Sequence, residues 1–552
     1  MSKKILIYAS AAWLILWLLL MVFALAVTRI GTSFWIVSAS LQLVGILMLP
    51  MLLGFVQITR RYGFVKNPKL ETAVMSPGLP EQKERDRPVE DIKLEKAAPR
   101  AALAKQKESD HTVEITRAEK VIPPPAQAPD DSHMYAPWSE LDRAVAAFKA
   151  RERGIAADWE EFRYKYLRVP DWYDHKLDPL SDAYKAQQDR IWQMMIGENS
   201  AYDPLAHELT DVSNIDALKA PGFYSLPVKD AGEHLIAMGH IIKLSGLHRG
   251  LRALEYGAGF GQIALNLARL GVIVDTVDID QTFCKAVQAQ ADWFGVNLKS
   301  HLGEFGDNPS GLKYNLVLFY EAFHHARDFA SLIAKLRDIL VPGGKVIMAG
   351  EPILPAADGK YSVPYPWGMR LPVEVAAVVR IRHWYELGFH EEFLVRLFNR
   401  NGFLYKKHYG HITNLAIIYE FVRRPAVVKF NEWQFPPDVD SQWNNFDPDG
   451  RWTKASSIIP IDCTETWTKL KITCHNHHPA LQEVKFRLGD KYVETVKFRP
   501  GELLHVLLER PVPLADHADH VTIETETIQP SNYGSKDQRH LGIYVKEMEY
   551  IA

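Results

Sequence analysis

Three glycines at alternate positions, Gly257, Gly259 and Gly261, sit between a short apolar run, Leu251–Tyr256, and a helical one, Gln262–Leu270. Glycine in such a place lets the chain turn sharply and lets a ligand approach the backbone, and the helix start beyond it presents N–H groups with no partner inside the helix. Twenty-one residues after Gly257, a second apolar run closes on Val277-Asp278-Ile279-Asp280. A carboxylate there can accept hydrogen bonds from both hydroxyls of a ribose, and both acids have the chemistry for it. The dinucleotide fingerprint Gly-x-Gly-x-x-Gly needs a third glycine where Gln262 stands, which argues against a nicotinamide or flavin dinucleotide. Farther along, Tyr314–Tyr320 is followed by Glu321 and then His324-His325, and Glu351 follows the next apolar run. An imidazole can take a proton near neutral pH, so the histidine pair can serve as a base toward a hydroxyl or can position and pack its loop.

Elements of a particular kind must hold these residues. Strand-like runs (Leu251–Tyr256, Val272–Asp278, Tyr314–Tyr320, Lys345–Ala349) alternate with helix-like ones (Gln262–Leu270, Thr282–Phe294, Asp328–Leu340), and Pro342-Gly343-Gly344 ends the last helix. Such alternation predicts an α/β domain, a doubly wound parallel sheet with helices on both faces, whose ligands bind at the carboxyl ends of the strands. The glycine loop, Asp278, the histidines and Glu351 all fall at such ends.

Together these residues resemble a known family. Glu255-x-Gly257-x-Gly259-x-Gly261 with Asp278 is similar to the first two motifs of class I S-adenosylmethionine-dependent methyltransferases. Gly303-Glu304-Phe305, the run from Tyr314 to His325, Leu340-Val341-Pro342-Gly343-Gly344 and Gly402-Phe403 resemble later parts of that pattern in order, over about residues 216–425. The resemblance implies a Rossmann-like seven-stranded sheet and S-adenosylmethionine as cofactor. It implies that Gly257, Gly259 and Gly261 border the methionine portion, that Glu255 orients the loop and the cofactor's amino group, and that Asp278 holds the ribose, with Asp280 as rival. Ile279 and Phe305 would sandwich adenine, Glu304 would accept from its amino group, and Glu321 is placed with these cofactor residues. His324, His325 and Glu351 are the candidates for the chemistry of transfer.

An insertion, Pro355 to Trp384, carries Tyr361, Tyr365, Trp367, Arg370, Arg380, Arg382 and His383. Aromatic and arginine side chains suit sugar faces and hydroxyl or acidic groups, so Tyr365, Trp367 and Arg370 are expected to face substrate; ordinary packing in a lid is the alternative. From about Phe430 short alternating runs separated by turn residues predict an all-β sandwich. Its segments Asn445–Thr453 and Asp537–Ile543 resemble motifs of β-sandwich modules appended to bacterial glycan enzymes, although Asp537 and Arg539 could equally pin a turn. The run Cys474-His475-Asn476-His477-His478 does not suggest converging ligands, and no metal is expected.

The remaining segments concern location. Ile5–Val27 and Phe34–Val56 are apolar runs of 23 residues, each able to span a hydrocarbon core of about 30 Å. Lys3, Lys4, Arg60, Arg61, Lys66 and Lys69 flank the pair while only Arg29 lies in the turn, which predicts two spans with both ends cytoplasmic at an inner membrane. The expected organisation is a two-helix transmembrane hairpin (1–64), a disordered Pro-rich and charged linker (65–135), a helical preface (136–215), the methyltransferase-like domain (216–428) and the β-sandwich (429–552). The linker composition cannot bury enough apolar area to offset its ordering entropy. A net charge of −3 speaks against nucleic acid as partner, and three cysteines, Cys284, Cys463 and Cys474, speak against a disulfide scaffold. The resulting expectation is O-methylation of a sugar in a glycan or glycolipid precursor at the cytoplasmic membrane face. A lipid or isoprenoid acceptor, and an inactive scaffold in polysaccharide assembly, are the alternatives.

Overall fold

The computed structural model describes residues 134–152, 159–209, 228–355, 362–410, 412–464, 467–489, 492–510 and 519–552. The expected hairpin (1–64), nearly all of the linker and Tyr361 lie outside the described residues. Among the described residues no helix is long and apolar enough to cross a membrane.

The chain enters through helix α1 (Leu141–Glu152) and helix α2 (Asp182–Ile196), the latter capped by the Ser181 side chain accepting from the Tyr184 N–H and closed by Gly197 in the left-handed region. Trp159, Phe162 and Tyr166 fall within the expected helical preface (136–215). Only a 3₁₀ turn, Trp159–Glu161, and a two-residue strand, Tyr166–Leu167, form there. Tyr164 takes a positive φ that breaks the run, and the rings of Trp159 and Phe162 pack in the core instead.

Helix α3 (Val228–Ser245) leads into strand β1 (Arg252–Tyr256), followed by α4 (Gln262–Arg269), β2 (Ile273–Asp278), α5 (Gln281–Phe294), β3 (Leu298–Leu302), β4 (Tyr314–Tyr320), α6 (Phe329–Ile339) and β5 (Leu340–Ala349). α7 (Val373–Arg382) lies within the insertion, and α8 (Glu391–Arg400), β6 (Phe403–His408) and β7 (Ile418–Arg423) follow it. The seven strands line up as β6-β7-β5-β4-β1-β2-β3. β1 to β5 run parallel, and β7 is antiparallel to both neighbours. Strand order reverses between β1 and β4, so a crevice opens beyond their carboxyl ends. Pairing of Tyr256 with both Val277 and Phe319 sets the glycine loop level with the ends of β2 and β4. Pro342-Gly343-Gly344 was expected to precede the strand; instead β5 already starts at Leu340 and the motif is a bulge within it, Gly343 taking φ 73°.

The insertion and the preface are one structure. Trp367–Met369 and Ile353–Leu354 flank Leu387–His390 in a small three-stranded sheet. α7 packs on α1 and α2, and the rings of Tyr184, Trp192, Trp367 and Tyr385 share a core with Phe319, Phe323 and Phe329. The preface thus continues the catalytic-domain core rather than forming a separate body.

The C-terminal region is a sandwich of antiparallel strands. One sheet runs Trp443–Asp447, Gly450–Thr453, Tyr544–Ile551, Lys469–His475, Leu503–Glu509, with Val427–Lys429 on the Tyr544–Ile551 strand. The other runs Ser456–Pro460, His520–Thr525, Gln482–Leu488, Tyr492–Phe498. Alternate residues from both, such as Ile472, Leu508, Phe486 and Ile523, meet in a single core. The buried pair Arg424–Asp462 at 2.6 Å, its guanidinium 3.4 Å above the Tyr550 ring, ties the sandwich to the end of β7.

Candidate active site

A cavity of about 1010 Å³ lies over the strand ends, at the top of the roughly 300–1,000 Å³ range of small-molecule sites. Gly257, Gly259, Asp278, Ile279, Glu304 and Phe305 line one side of it. The loop after β1 depends on glycine at two points for different reasons. Gly257 has φ 61° and a Cβ there would stand 2.8 Å from the Ala322 Cβ, closing the floor of the cavity. Gly261 has φ 70° and a Cβ would strike Val287 of α5 at 2.9 Å, so it serves loop packing and does not line the cavity.

Two carboxylates hold that loop. Asp278 accepts from the Gly259 N–H through Oδ2 and from the Asp280 N–H through Oδ1, both at 2.9 Å, and it lines the cavity. Burial pushes its carboxyl up to about 6 against the pull of those N–H donors. Asp280 caps α5 by accepting from the Thr282 N–H at 2.7 Å and is not part of the lining. Glu255 lies behind the loop, not in the cavity. It accepts from the Ala264 N–H at 2.9 Å in the first turn of α4, and burial pushes its carboxyl up to about 8. A contact from Glu255 to a ligand would have to pass through the loop that it supports.

The opposite wall gathers ionisable groups. Glu351 is fully buried; Oε1 accepts from the Ala322 and Phe323 N–H groups at 2.9 Å each, and Oε2 meets the His324 N–H at 3.1 Å and the ring Nδ1 at 2.8 Å. Burial would raise this carboxyl, but the His324 ring and those N–H groups outweigh it and hold it below the ordinary range. His324 Nε2 stands 3.5 Å from Glu386 Oε2, which Arg370 Nη1 also meets at 2.9 Å. Burial of Glu386 is outweighed by His324, His325 and Arg370, which draw it down to about 2. His325 Nδ1 lies 3.1 Å from Glu208 Oε2 without the alignment of a hydrogen bond. Burial would lower its pKa, but Glu208, Glu386 and Glu351 raise it to about 9.

Glu321 stands between the two walls. It is one of three non-glycine described residues with positive φ, at 51°, and its Oε2 is buried with no hydrogen-bond partner. Gly350 leaves the room it needs, since a Cβ there would come within 2.5 Å of the Glu321 Cγ. Burial first, and then repulsion from Glu351, push its carboxyl up to about 7. His234 Nδ1 stands 3.6 Å from that oxygen. A strained backbone that delivers a buried carboxylate without a hydrogen bond into a cavity is a feature of a working site.

Of the residues expected to face substrate, only Arg370 lines the cavity. Trp367 is a core residue, its indole N–H donating to the Pro179 carbonyl at 2.9 Å and its ring packed on Tyr184 and Phe329. Tyr365 is exposed, stands edge-on to His390 and is outside the lining. Glu208 and Glu386 were missed. Glu386 carried a signal, a lone acid inside the apolar run Tyr385 to Phe389, whereas nothing local marked Glu208. In the sandwich, Arg539 pairs with Asp537 at 2.8 Å and Asp447 at 3.2 Å, pinning the turns on which both motifs lie.

The chain's similarities fit this geometry. Residues 254–346 match the family model described as a methyltransferase domain. A ubiquinone biosynthesis O-methyltransferase of Chelativorans sp. (strain BNC1) is 30% identical over 102 residues, 18% of this chain and 40% of that protein. The chain thus spans less than half the length of that curated relative. Among solved structures, magnesium protoporphyrin IX methyltransferase from Synechocystis PCC 6803 with bound S-adenosylmethionine is 16% identical, covering 41% of this chain and 99% of that one at TM-score 0.29. The YcgJ protein from Bacillus subtilis is 15% identical, covering 35% and 100% at TM-score 0.28. The domain at residues 254–346 is of the class I S-adenosylmethionine-dependent methyltransferase type, with S-adenosylmethionine as its cofactor. The residues fit that group: the bare floor at Gly257, the Asp278 carboxylate at the end of β2, and Ile279 and Phe305 beside it form one continuous lining.

Proposed function

We propose that this protein is an S-adenosylmethionine-dependent O-methyltransferase acting on a hydroxyl of a glycan or glycolipid precursor at the cytoplasmic face of a membrane. The observation that carries the reading is the cavity itself, whose one wall fits the cofactor and which holds between its walls a buried carboxylate, Glu321, pushed up to about 7, whose Oε2 has no hydrogen-bond partner and stands 3.6 Å from His234 Nδ1. When bound, S-adenosylmethionine supplies a sulfonium methyl, and its C–S bond breaks as the C–O bond to the acceptor forms. The protein's tasks are then to align the acceptor, exclude water and remove one proton. Glu321 accepts that proton, since a carboxyl tuned near the working pH is both deprotonated enough and basic enough. His324, clamped by Glu351, together with His325 and Arg370, forms the polar face that receives the acceptor oxygens.

The membrane placement rests on the paired 23-residue apolar runs and their flanking basic residues. The sugar acceptor is favoured by the sandwich, where Trp452 is half-exposed beside His477 and Tyr544 at ring distances of 5.2 and 5.1 Å, a surface suited to a sugar face. A second reading, an isoprenoid or other lipid acceptor, is favoured by the relative named for ubiquinone biosynthesis. Mass analysis of a deletion strain separates the two. Loss of a methyl group from a surface-glycan sugar supports the first, and an unchanged glycan with an altered lipid overturns it in favour of the second.

A further inference from the structure

His324, His325 and Glu386 each present one ligand atom within 4.8 Å of the others, on the wall of the cavity facing away from the glycine loop. We propose that this trio binds one divalent first-row metal ion, and that the ion holds an acceptor through two adjacent oxygens, as in a vicinal diol. The proposal goes beyond the absence of metal expected from the sequence, and it rests on the reading of this wall as the acceptor side.

The donor set comes first. Two imidazoles and one carboxylate suit zinc, cobalt, iron(II) or manganese, and three protein ligands leave positions open for outside oxygens. Ligand atoms about 2.1 Å from a shared ion stand about 3.0–3.4 Å apart. The 3.5 Å between His324 Nε2 and Glu386 Oε2 is close to that, and it is long for a direct hydrogen bond.

The support of the ligands comes second. A metal-bound histidine characteristically uses its other ring nitrogen to hold a carboxylate, which fixes tautomer and orientation. His324 does so through Nδ1 to Glu351, itself held by three backbone N–H groups. Arg370 fixes Glu386, and the Trp384 ring stands edge-on to His325 at 5.9 Å.

Charge comes third. Glu208, Glu321 and Glu386 line this side of the cavity with Glu351 buried behind them, against Arg370, the more exposed Arg382 and Arg327, the last of which is already paired with Asp189. Buried carboxylates in excess require further positive charge. A divalent ion supplies it, and so would protons on both imidazoles; titration distinguishes the two.

The test uses the full-length protein stripped with EDTA and titrated with Co²⁺, followed by visible absorption, with S-adenosylmethionine titrated calorimetrically in parallel. The expected result is one Co²⁺ per chain. His324→Ala and Glu386→Gln should weaken it at least ~100-fold and Glu351→Gln by roughly 10–100-fold, with S-adenosylmethionine affinity within about twofold in all three. Retained cofactor binding shows that the variants are folded. Protein that binds S-adenosylmethionine but gives no saturable Co²⁺ spectrum, or Co²⁺ binding indifferent to all three substitutions, overturns the metal site alone. Co²⁺ binding without S-adenosylmethionine binding would support the metal site and count against the proposed function.

Discussion

The glycine-loop wall of the cavity draws its residues from one stretch of chain, Gly257 to Phe305, whereas the facing wall collects Glu208, His324, Arg370 and Glu386, with Glu351 buried behind His324, from segments spread through the domain. The first wall is made of backbone: bare turns, N–H groups and carboxylates that brace them. The second is made of charge, side chains that constrain one another through ion pairs. A backbone site recognises a fixed shape with little reorganisation, and a charge site can be retuned by one substitution in any of several segments. The difference predicts distinct responses to mutation.

The largest effect is expected on the backbone wall. Gly257→Val places a branched side chain at φ 61°, against Ala322 and into the cavity, and should abolish S-adenosylmethionine binding, a loss of at least ~100-fold by calorimetry. Binding within tenfold of wild type would erase the distinction between the walls.

Glu321→Gln should lower methyl transfer by about 10²–10⁴-fold while cofactor affinity stays within about twofold. The readout is labelled methyl transfer to glycolipid extracted from a deletion strain. In the wild type the proton acceptor must be ionised, so the rate should rise with pH through about 7 and level off above it, and the variant should lack that limb. A variant with the same limb would move the base elsewhere on the charged wall.

The smallest effect concerns stability. The Glu255 carboxyl is raised to about 8 in the folded protein from an ordinary 4.5. Between those values the folded state binds the extra proton, so stability is full below about 4.5 and falls as pH rises, at most by about 1.4 kcal/mol per pH unit. Glu255→Gln keeps an acceptor for the Ala264 N–H and should flatten that part of the denaturation midpoint profile. An unchanged slope would show that the loop is braced without a buried ionisable group.

The same contrast explains what could be read from the sequence. β1, β2 and β4 and the place of the glycine loop were legible because glycines, strand periodicity and a strand-end acid recur within a few tens of residues, whereas β3, the polar run Leu298–Leu302, was not read as a strand. Tyr314–Tyr320 is the same as expected. The charged wall was legible only in part, since His324, His325 and Glu351 follow strands. Glu208 and Glu386 arrive through packing of the preface and insertion, which leaves no local pattern. Trp367 misled for a related reason: an aromatic residue between Pro366 and Gly368 looks the same whether it faces a ligand or, as here, a core of other rings.

The account depends most on the Asp278 carboxylate at the tip of β2, beside the glycine loop. Calorimetric titration of S-adenosylmethionine into full-length wild type and Asp278→Ala tests it directly. One cofactor molecule per chain in the wild type and at least ~100-fold weaker binding in the variant is the predicted result. No binding by the wild type, or equal binding by both proteins, would contradict it.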